Sequence, residues 1–434
     1  MQMTIHRGTH EIGGTCIELK NGSGERLILD LGQPLASLAA DLDGLELSTE
    51  VALQMGLLPH VPGLYQGEDA PRPLGVFLSH LHLDHIGLIH HVHPEVPIFM
   101  GPRSPVLHRS LRGILPHSVP LDHLRIEAYG DAPIQLGAFQ ITPYLVDHSA
   151  FEAFALLVEA DGKRVFYSGD FRSHGRKHVL YDRLCAIPPK DIDLLLMEGT
   201  TLGRPEERQP TEAEIEDEIA GLLKNNPHHA LVAYSPQNLD RHVTLIRAAK
   251  RSGRKFYVDA YGAWCHEAFL ALGVKLPKLG KGEDEVGVLL GSERWLKNPE
   301  FEPFENRLVK GIASKYDPAL SQPALISFRH HVGKRLKARS EQLKGGYFLY
   351  SMWMGYLKKS TTIQDFVASC GMELRHAHTS GHADGEALKR LHQALKPRIT
   401  CPVHTEHPEA YTALLPGASL LFLQDGQTWK LPGT

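Results

Sequence analysis

The chain has 434 residues, of which 42% are hydrophobic and 22% are charged, and its formal net charge is −4 at pH 7. The length predicts two joined domains, and the composition is that of a globular protein with ample core-forming material. The charge excludes a globally basic nucleic-acid binder, but not a local basic groove. No stretch approaches the roughly 20 apolar residues that cross a membrane. The N-terminus lacks the apolar core of a signal peptide and the five cysteines form no CxxC pair, so we expect a cytoplasmic protein with no membrane partner.

The first 200 residues are predicted to form short strands separated by turns. Asp-Gly between apolar runs at 154–159 and 164–168 is a strong hairpin signal. Other apolar runs predict buried strands that end next to chemically active side chains: 26–30 ends at Asp30, 74–79 leads into a histidine cluster, and 191–197 ends before Glu198.

The pattern changes after about residue 203. Thr211 and Glu214 form a capping box that opens a helix to about residue 225. A strand at 230–234, a helix at 241–251 and a strand at 255–259 follow, which predicts a parallel sheet with covering helices. Residues 275–345 are predicted to be surface helices and loops. A strand at 347–350 and a further αβ stretch from about 360 complete the chain.

The segment from His80 to His85 is the strongest chemical signal. In an extended segment, residues two apart point the same way, so His80 and His82 can face one metal ion. A turn after Leu83 would direct Asp84 and His85 at a second ion. Imidazole and carboxylate ligands suit zinc, and manganese is an alternative. The competing interpretation, a His-rich surface loop, does not explain four ligand-type residues within six positions after a buried strand.

Further ligands for a metal pair are expected at other strand ends. Each of the three candidate residues alone is weak evidence for a metal ligand, and their order along the chain favours the assignment. They are His148 after the run at 143–146, Asp170 after the predicted hairpin, and His404 in Cys401-Pro-Val-His404.

Together these residues resemble the metallo-β-lactamase fold in motif order and spacing. The second half resembles the β-CASP nucleic-acid-processing branch of that fold. Met197-Glu198-Gly-Thr-Thr is similar to its acidic motif, His378-Thr-Ser380-Gly-His382-Ala-Asp to its H-x-S-G-H-A loop, and Pro402-Val-His404 to its final histidine motif. Ser235-Pro-Gln-Asn238-Leu-Asp-Arg241 is similar to an S-N-x-x-R stretch. The resemblance covers nearly the whole chain and is closest to ribonuclease J and to the endonucleases that process messenger RNA 3′ ends.

The resemblance implies an α/β protein: a metallo-β-lactamase αββα sandwich with an inserted α/β β-CASP domain. Its implied domains are 1–202 and 359–434 for the sandwich and 203–358 for the insert. It also implies two zinc ions, with manganese as the alternative, and assigns seven ligands: His80, His82 and His148 on one ion, Asp84, His85 and His404 on the other, and Asp170 bridging.

The implied activity is hydrolysis of phosphodiester bonds in single-stranded nucleic acid, RNA rather than DNA, by a hydroxide that the two metals activate. Asp30 and Glu198 would orient ligand or loop histidines. His382 would be the general acid or phosphate clamp, and His378 and Ser380 would bind phosphate.

The insert is expected to cap the metals and to leave a groove for a single strand, and a homodimer is compatible with the resemblance. Arg172, Ser235, Arg241 and Ser351 are candidate substrate-binding residues, each of which could equally be a solvated surface residue. Two other functions stay open. A small-molecule ester or phosphodiester hydrolase would not need the 378–382 loop, and an inactive scaffold would have lost a ligand.

Overall fold

The structure is a computed structural model that describes residues 1–35, 47–111, 121–130, 132–204, 208–291, 293–358 and 361–433. The chain divides into two units. The first comprises Met1–Arg208 and Gly381–Thr434, and the second comprises Gln209–Ser380. Within the described part of the chain, we find no helix with both the length and the apolar character needed to span a bilayer.

The strands are numbered in chain order. They are β1 (Gln2–Arg7), β2 (Cys16–Lys20), β3 (Arg26–Leu29), β4 (Gly75–Phe77), β5 (Ile98–Met100), β6 (Ile126–Ala128), β7 (Ile134–Leu136), β8 (Phe139–Leu145), β9 (Phe154–Ala160), β10 (Lys163–Tyr167), β11 (Leu194–Glu198), β12 (Ala230–Ala233), β13 (Lys255–Val258), β14 (Gly287–Val288), β15 (Ala324–Ser327), β16 (Tyr347–Tyr350), β17 (Glu373–His376), β18 (Ile399–Val403) and β19 (Thr428–Lys430).

The α-helices are numbered in the same way. They are α1 (Thr49–Gln54), α2 (Leu83–Ile86), α3 (Ser104–Leu111), α4 (His178–Ala186), α5 (Glu212–Asn225), α6 (Leu239–Arg251), α7 (Ala260–Ala271), α8 (Glu302–Arg307), α9 (Tyr316–Ala319), α10 (His330–Lys337), α11 (Ser340–Leu343), α12 (Met354–Lys358), α13 (Thr362–Ser369), α14 (Gly385–Leu395) and α15 (Tyr411–Leu414).

The first unit contains two sheets. One has the order β19-β1-β2-β3-β4-β5-β6, and the other has the order β18-β11-β10-β9-β8-β7. One buried apolar cluster joins residues of both sheets, including Ile17, Leu29, Leu156 and Val165. Separate clusters cover the outer faces, one of them with Leu388 and other residues of α14. This arrangement confirms the predicted αββα sandwich.

Parallel strands in each sheet end next to the residues that the sequence singled out. In the first sheet β3 runs parallel to β4, with Leu29 opposite Phe77, so that Asp30 and Ser79 follow neighbouring strand ends. In the second sheet β10, β11 and β18 are parallel. Their carboxyl ends lead to Asp170, Glu198 and His404, and functional residues commonly collect at such an edge.

The second unit is a six-stranded parallel sheet of order β14-β13-β15-β12-β16-β17 with helices between its strands. The predicted β-α-β alternation is confirmed, and so is the capping box, in which Thr211 Oγ1 accepts from the Glu214 amide. The prediction of only surface helices and loops at 275–345 is wrong. That stretch holds β14 and the fully buried β15 (Ala324–Ser327), a strand of three apolar residues and a serine.

The end of the insert also differs from the prediction. The sequence placed it at 358, but the second unit continues to Ser380. The reason is β17, which pairs in parallel with β16 through Tyr350 and His376 and so extends the same sheet.

Candidate metal centre

Three imidazoles of the first unit converge on one point. His80 follows β4, and His82 is the residue that precedes α2. Nδ1 of His82 lies 3.0 Å from Nε2 of His80 and 3.0 Å from Nε2 of His148. These three nitrogen atoms lie within 4.8 Å of one another. Three nitrogen donors facing one point form a ligand set that suits zinc.

A second group of ligand atoms contains Asp84, His85, Asp170 and His404, again within 4.8 Å of one another. Nε2 of His85 lies 3.1 Å from Oδ2 of Asp170, and Nε2 of His404 lies 3.6 Å from Oδ2 of Asp84. Asp84 and His85 reach this group because α2 turns the chain directly after His82. The structure therefore brings all seven predicted ligands together in two adjacent groups.

Asp170 connects the two groups. Its Oδ2 lies 3.7 Å from Nε2 of His80 and 3.9 Å from Nε2 of both His148 and His404. Oδ1 of Asp170 and Nε2 of His404 are buried, and neither has a hydrogen-bond partner among the residues that the structure describes. Burying a polar atom without a partner is costly, so these atoms are suited to ligate a cation. The donor set and its unpaired atoms fit a metal site.

The protonation states of the three histidines in the first group also suit metal binding. Burial lowers the pKa of His80 and of His148 well below the usual value, and it lowers the pKa of His82 to about 4. Neutral imidazole is the form that binds metal. Burial would raise the pKa of Asp170, but His404 and His85 hold it well below its usual value. The second group therefore carries an ionised carboxylate.

Residues around the ligands orient the histidine rings. Nδ1 of His85 lies 2.8 Å from Oδ2 of Asp30, which also accepts from Tyr167 at 2.6 Å. Nδ1 of His404 lies 2.9 Å from Oγ1 of Thr15. Nδ1 of His148 donates to the Gly381 carbonyl oxygen at 2.6 Å. Such partners fix which imidazole nitrogen faces a metal.

Only some of these partners were predicted. Asp30 was expected from its position after a strand. Thr15, Tyr167 and Ser79, whose Oγ lies 3.0 Å from Nδ1 of His80, were missed. No local pattern marks a single hydroxyl group, and the sheet pairings alone bring these groups to the ligands.

His382 and Glu198 form a contact beside the two groups. Nδ1 of His382 lies 3.1 Å from Oε2 of Glu198 and 3.6 Å from Oδ2 of Asp170. Burial alone would lower the pKa of His382, but the Glu198 and Asp170 carboxylates raise it to about 9. Glu198 is held by the Phe171 amide, which donates to its Oε1 at 3.0 Å. His382 also belongs to a third group of possible ligands with His148 and Asp170.

Within the second unit, His378 lies beside Arg241. Nη1 of Arg241 donates to Nδ1 of His378 at 3.4 Å and to the Ser351 carbonyl oxygen at 3.2 Å. Burial, and then the Arg241 charge, lowers the pKa of His378 to about 3. His378 is therefore neutral near pH 7. The Ser380 amide donates to Oε1 of Gln209 at 3.2 Å.

The two arginines that the sequence proposed as substrate contacts are buried. The Arg241 side chain is 1% exposed and pairs with Glu212 at 3.1 Å. The Arg172 side chain is 0% exposed, and its Nε donates to Oδ1 of Asp147 at 3.3 Å. Neither guanidinium is presented to a substrate, which corrects the prediction of direct contact. Ser351 is buried too, whereas Ser235 is exposed after β12.

Comparisons with known proteins agree with this geometry. Residues 47–232 match the β-lactamase superfamily domain, and residues 371–414 match the Zn-dependent metallo-hydrolase RNA specificity domain. The chain therefore carries a β-lactamase superfamily domain over residues 47–232. A crystal structure of a protein of unknown function from Enterococcus faecalis V583 shares this metallo-β-lactamase fold with a TM-score of 0.76 at 22% identity, over 99% of each chain.

Curated ribonuclease J proteins match most of the chain. Ribonuclease J 2 of Streptococcus pyogenes is 22% identical over 82% of this chain and 63% of its own length. Ribonuclease J of Sinorhizobium meliloti is 22% identical over 80% of this chain and 62% of its own length. Ribonuclease J2 of Bacillus subtilis is 22% identical over 79% of this chain and 60% of its own length. The chain thus spans less than two thirds of each of these relatives.

Proposed function

We propose that this chain is a metal-dependent nuclease that hydrolyses phosphodiester bonds of single-stranded RNA. The observation that carries the proposal is the pair of adjacent ligand groups, in which Asp170 belongs to the second group and its Oδ2 lies 3.7 Å from Nε2 of His80 in the first. Two divalent ions about 3.5–4 Å apart are a recurrent arrangement in phosphatases and nucleases. The match to an RNA specificity domain and the names of the ribonuclease J relatives support RNA as the substrate.

The proposed ligands divide between two ions, with zinc as the metal and manganese as the alternative. His80, His82 and His148 would hold one ion, Asp84, His85 and His404 would hold the other, and Asp170 would serve both. Bound ions of this kind supply Lewis acidity, which lowers the pKa of water and takes up negative charge on a phosphoryl oxygen.

The proton for the departing sugar oxygen is assigned to His382. Its Nδ1 faces Glu198, so Nε2 is the nitrogen that can deliver a proton. The Glu198 carboxylate favours the protonated ring, and Glu198 is therefore a positioning residue. The alkoxide of a sugar is a strongly basic leaving group, which makes this protonation valuable.

Substrate phosphate is assigned to the loop from His378 to His382. Because Arg241 donates to Nδ1 of His378, the Nε2 hydrogen of that neutral ring is available to a phosphate oxygen. Ser380 contributes its hydroxyl group, and Ser235 is an exposed hydroxyl after β12. Arg241 acts through His378 and not by contact with RNA.

The test is incubation of purified protein with 5′- and 3′-labelled single- and double-stranded RNA and DNA, with zinc or with manganese. The expected result is metal-dependent cleavage of single-stranded RNA that the Asp170→Ala variant lacks. Cleavage of DNA without cleavage of RNA would change the proposed substrate from RNA to DNA. Hydrolysis of small esters or phosphodiesters without any cleavage of nucleic acid would overturn the proposal in favour of a small-molecule hydrolase.

A further inference from the structure

Two aromatic side chains directly after β16 are exposed and have no part in the proposed reaction. Trp353 is 44% exposed and Tyr356 is 56% exposed. Isolated exposed apolar side chains are ordinary on protein surfaces. These two contact each other, with ring centroids 5.3 Å apart and planes at 88°. They form a small aromatic surface, which we call the Trp353–Tyr356 pair.

The backbone holds the Trp353 indole in a defined position. A Cβ atom at Gly355 would clash with the six-membered ring of the indole, so the ring lies against the Gly355 backbone. The Trp353 carbonyl oxygen accepts from the Tyr356 amide at 3.1 Å and from the Tyr350 hydroxyl at 3.4 Å. A side chain that is ordered before binding loses little entropy when a ligand covers it.

The pair lies on the same edge of the sheet as the His378 loop. Nε2 of His376 donates to the carbonyl oxygen of Met352, the residue before Trp353, at 3.1 Å. The His376 ring centroid is 5.8 Å from that of His378. The exposed Lys358 ends α12, the helix that carries Tyr356. Two exposed aromatic rings and an exposed lysine on one short segment, close to a proposed phosphate contact, suit the binding of a nucleic-acid strand.

We propose that the Trp353–Tyr356 pair is a stacking platform for one base of single-stranded RNA, an inference that rests on the proposed function. Every base has a π face, so aromatic side chains bind single strands with little sequence preference. Because the two ring planes are nearly perpendicular, a base that stacks on the face of the indole would meet the Tyr356 ring at the outer edge of the base. The platform therefore has room for one base. A stable protein interface uses roughly 20–30 residues on each side, far more than these two side chains. A single strand of RNA is therefore a better occupant of the pair than a protein partner.

The first experiment measures the affinity of the metal-loaded protein for a phosphorothioate-linked RNA of about 15 nucleotides, a length near the upper end of single-strand site sizes. Trp353→Ala is expected to weaken binding about 5- to 100-fold, the range that loss of one stacked base gives. Trp353→Phe should recover most of the affinity because it keeps a π face. The matched control is Phe422→Ala, which removes an aromatic side chain that is 45% exposed in the first unit.

The second experiment locates the base. A set of RNAs, each with one abasic nucleotide, is tested against the wild-type protein and Trp353→Ala. One of the abasic RNAs should bind the wild-type protein as weakly as intact RNA binds Trp353→Ala. The same abasic RNA should bind Trp353→Ala with little further loss of affinity. Stacking neutralises no phosphate, so the dependence of affinity on salt should be the same in both proteins. Hydrolysis of bis(p-nitrophenyl) phosphate should be unchanged.

The outcomes separate this inference from the proposed function. If the wild type neither binds nor cleaves RNA, the proposed function fails and the platform fails with it. If the wild type cleaves RNA while Trp353→Ala and Tyr356→Ala both behave like Phe422→Ala, only the platform is overturned. A change in oligomeric state of Trp353→Ala in sedimentation, with RNA affinity retained, would assign the pair to a protein interface instead.

Discussion

Oδ2 of Asp30 lies 2.8 Å from Nδ1 of His85, and both side chains are fully buried. Oδ1 of the same carboxylate accepts from the Ser79 amide at 2.7 Å. The contact directs Nε2 of His85 toward Asp170, at 3.1 Å. Asp30 has a φ of 57°, a left-handed conformation that Asp and Asn adopt more readily than most residues. The backbone turn and the buried carboxylate together orient the His85 ring, a candidate metal ligand.

Asp30→Asn should therefore weaken metal binding while leaving the fold intact. Asparagine tolerates the positive φ and keeps the size of the side chain, but it removes the negative charge next to His85. Loss of such a partner typically lowers metal affinity about 10- to 100-fold. Zinc competition with a chromogenic chelator measures the affinity. Asp191→Asn is the matched control, because Asp191 has a φ of 55° and is exposed. Equal zinc affinity in the two variants would contradict the assignment.

Metal analysis should approach two ions per chain. Seven ligand residues are more than one tetrahedral ion can use, and Oδ2 of Asp170 faces both groups. Asp170→Ala should lose at least one ion. Asp259→Asn, which alters a buried carboxylate of the second unit, should retain the full content. A stoichiometry that stays at one under excess metal, with full activity, would show a mononuclear site.

The residues of the two candidate ligand groups were predictable because the sequence signals are contiguous for four of them and follow a fixed order for the other three. His80, His82, Asp84 and His85 are contiguous, and strand periodicity already separates the first pair from the second. His148, Asp170 and His404 gained support from their order and from the family resemblance. The groups that orient them were less visible. Thr15 lies 389 positions from His404 in sequence, and only the folded sheets bring the two together.

The buried strand β15 and the buried arginines escaped prediction for related reasons. Ala324–Ser327 is only four residues long, which is too short for its periodicity to distinguish a strand from a loop. The partner of Arg241, Glu212, is 29 positions away. A charge pattern gives no sign that two distant charges meet in the interior, and so both arginines were interpreted as surface residues.

Arg241→Ala should destabilise the second unit. It would leave the Glu212 carboxylate buried without its charge partner, which typically costs about 3–5 kcal/mol. Hydrogen exchange of peptides from α5 should become faster, and cleavage of RNA and of bis(p-nitrophenyl) phosphate should decline together. The double variant Glu212→Gln/Arg241→Met should recover part of the protection. Arg251→Ala removes a half-exposed arginine and should change little. Unchanged exchange in Arg241→Ala would contradict this account.

The stability that Glu18 contributes should depend on pH. Its carboxylate accepts from Nε of Arg26 at 2.9 Å, from Nη2 of Arg26 at 2.8 Å and from Nε2 of His6 at 3.1 Å. Burial would raise its pKa, but these partners lower it from 4.5 to about 2. A carboxylate whose pKa is lower in the folded state stabilises that state at pH values above its unfolded-state pKa. Its contribution to the free energy of unfolding declines as pH falls from about 4.5 to about 2.

Glu18→Gln should consequently lower the thermal unfolding midpoint at pH 7, and the difference from wild type should shrink toward pH 3. Hydrogen bonds to charged groups typically contribute about 1.5–3 kcal/mol. Glu95→Gln is the control, since Glu95 is 70% exposed in its ion pair with Arg72. A difference for Glu18→Gln that is constant from pH 7 to pH 3 would exclude ionisation as its cause.

His382→Ala should separate proton donation from metal binding. If His382 protonates the leaving oxygen, the variant keeps its metal and loses most of its rate on RNA, whose alkoxide leaving group is strongly basic. The typical contribution of such a general acid is about 10²- to 10⁴-fold. Bis(p-nitrophenyl) phosphate releases an activated aryl oxide that needs little protonation, so its hydrolysis should fall only slightly.

Glu198→Gln tests the same role through the partner of His382. It retains the size of the side chain and removes the charge that favours the protonated ring. The loss of rate should again be larger for RNA than for the aryl ester, and smaller than in His382→Ala. The decisive control is metal content, because Nδ1 of His382 lies only 3.6 Å from Oδ2 of Asp170. If His382→Ala loses metal, or slows both substrates equally, His382 is a ligand or a structural residue and not the acid.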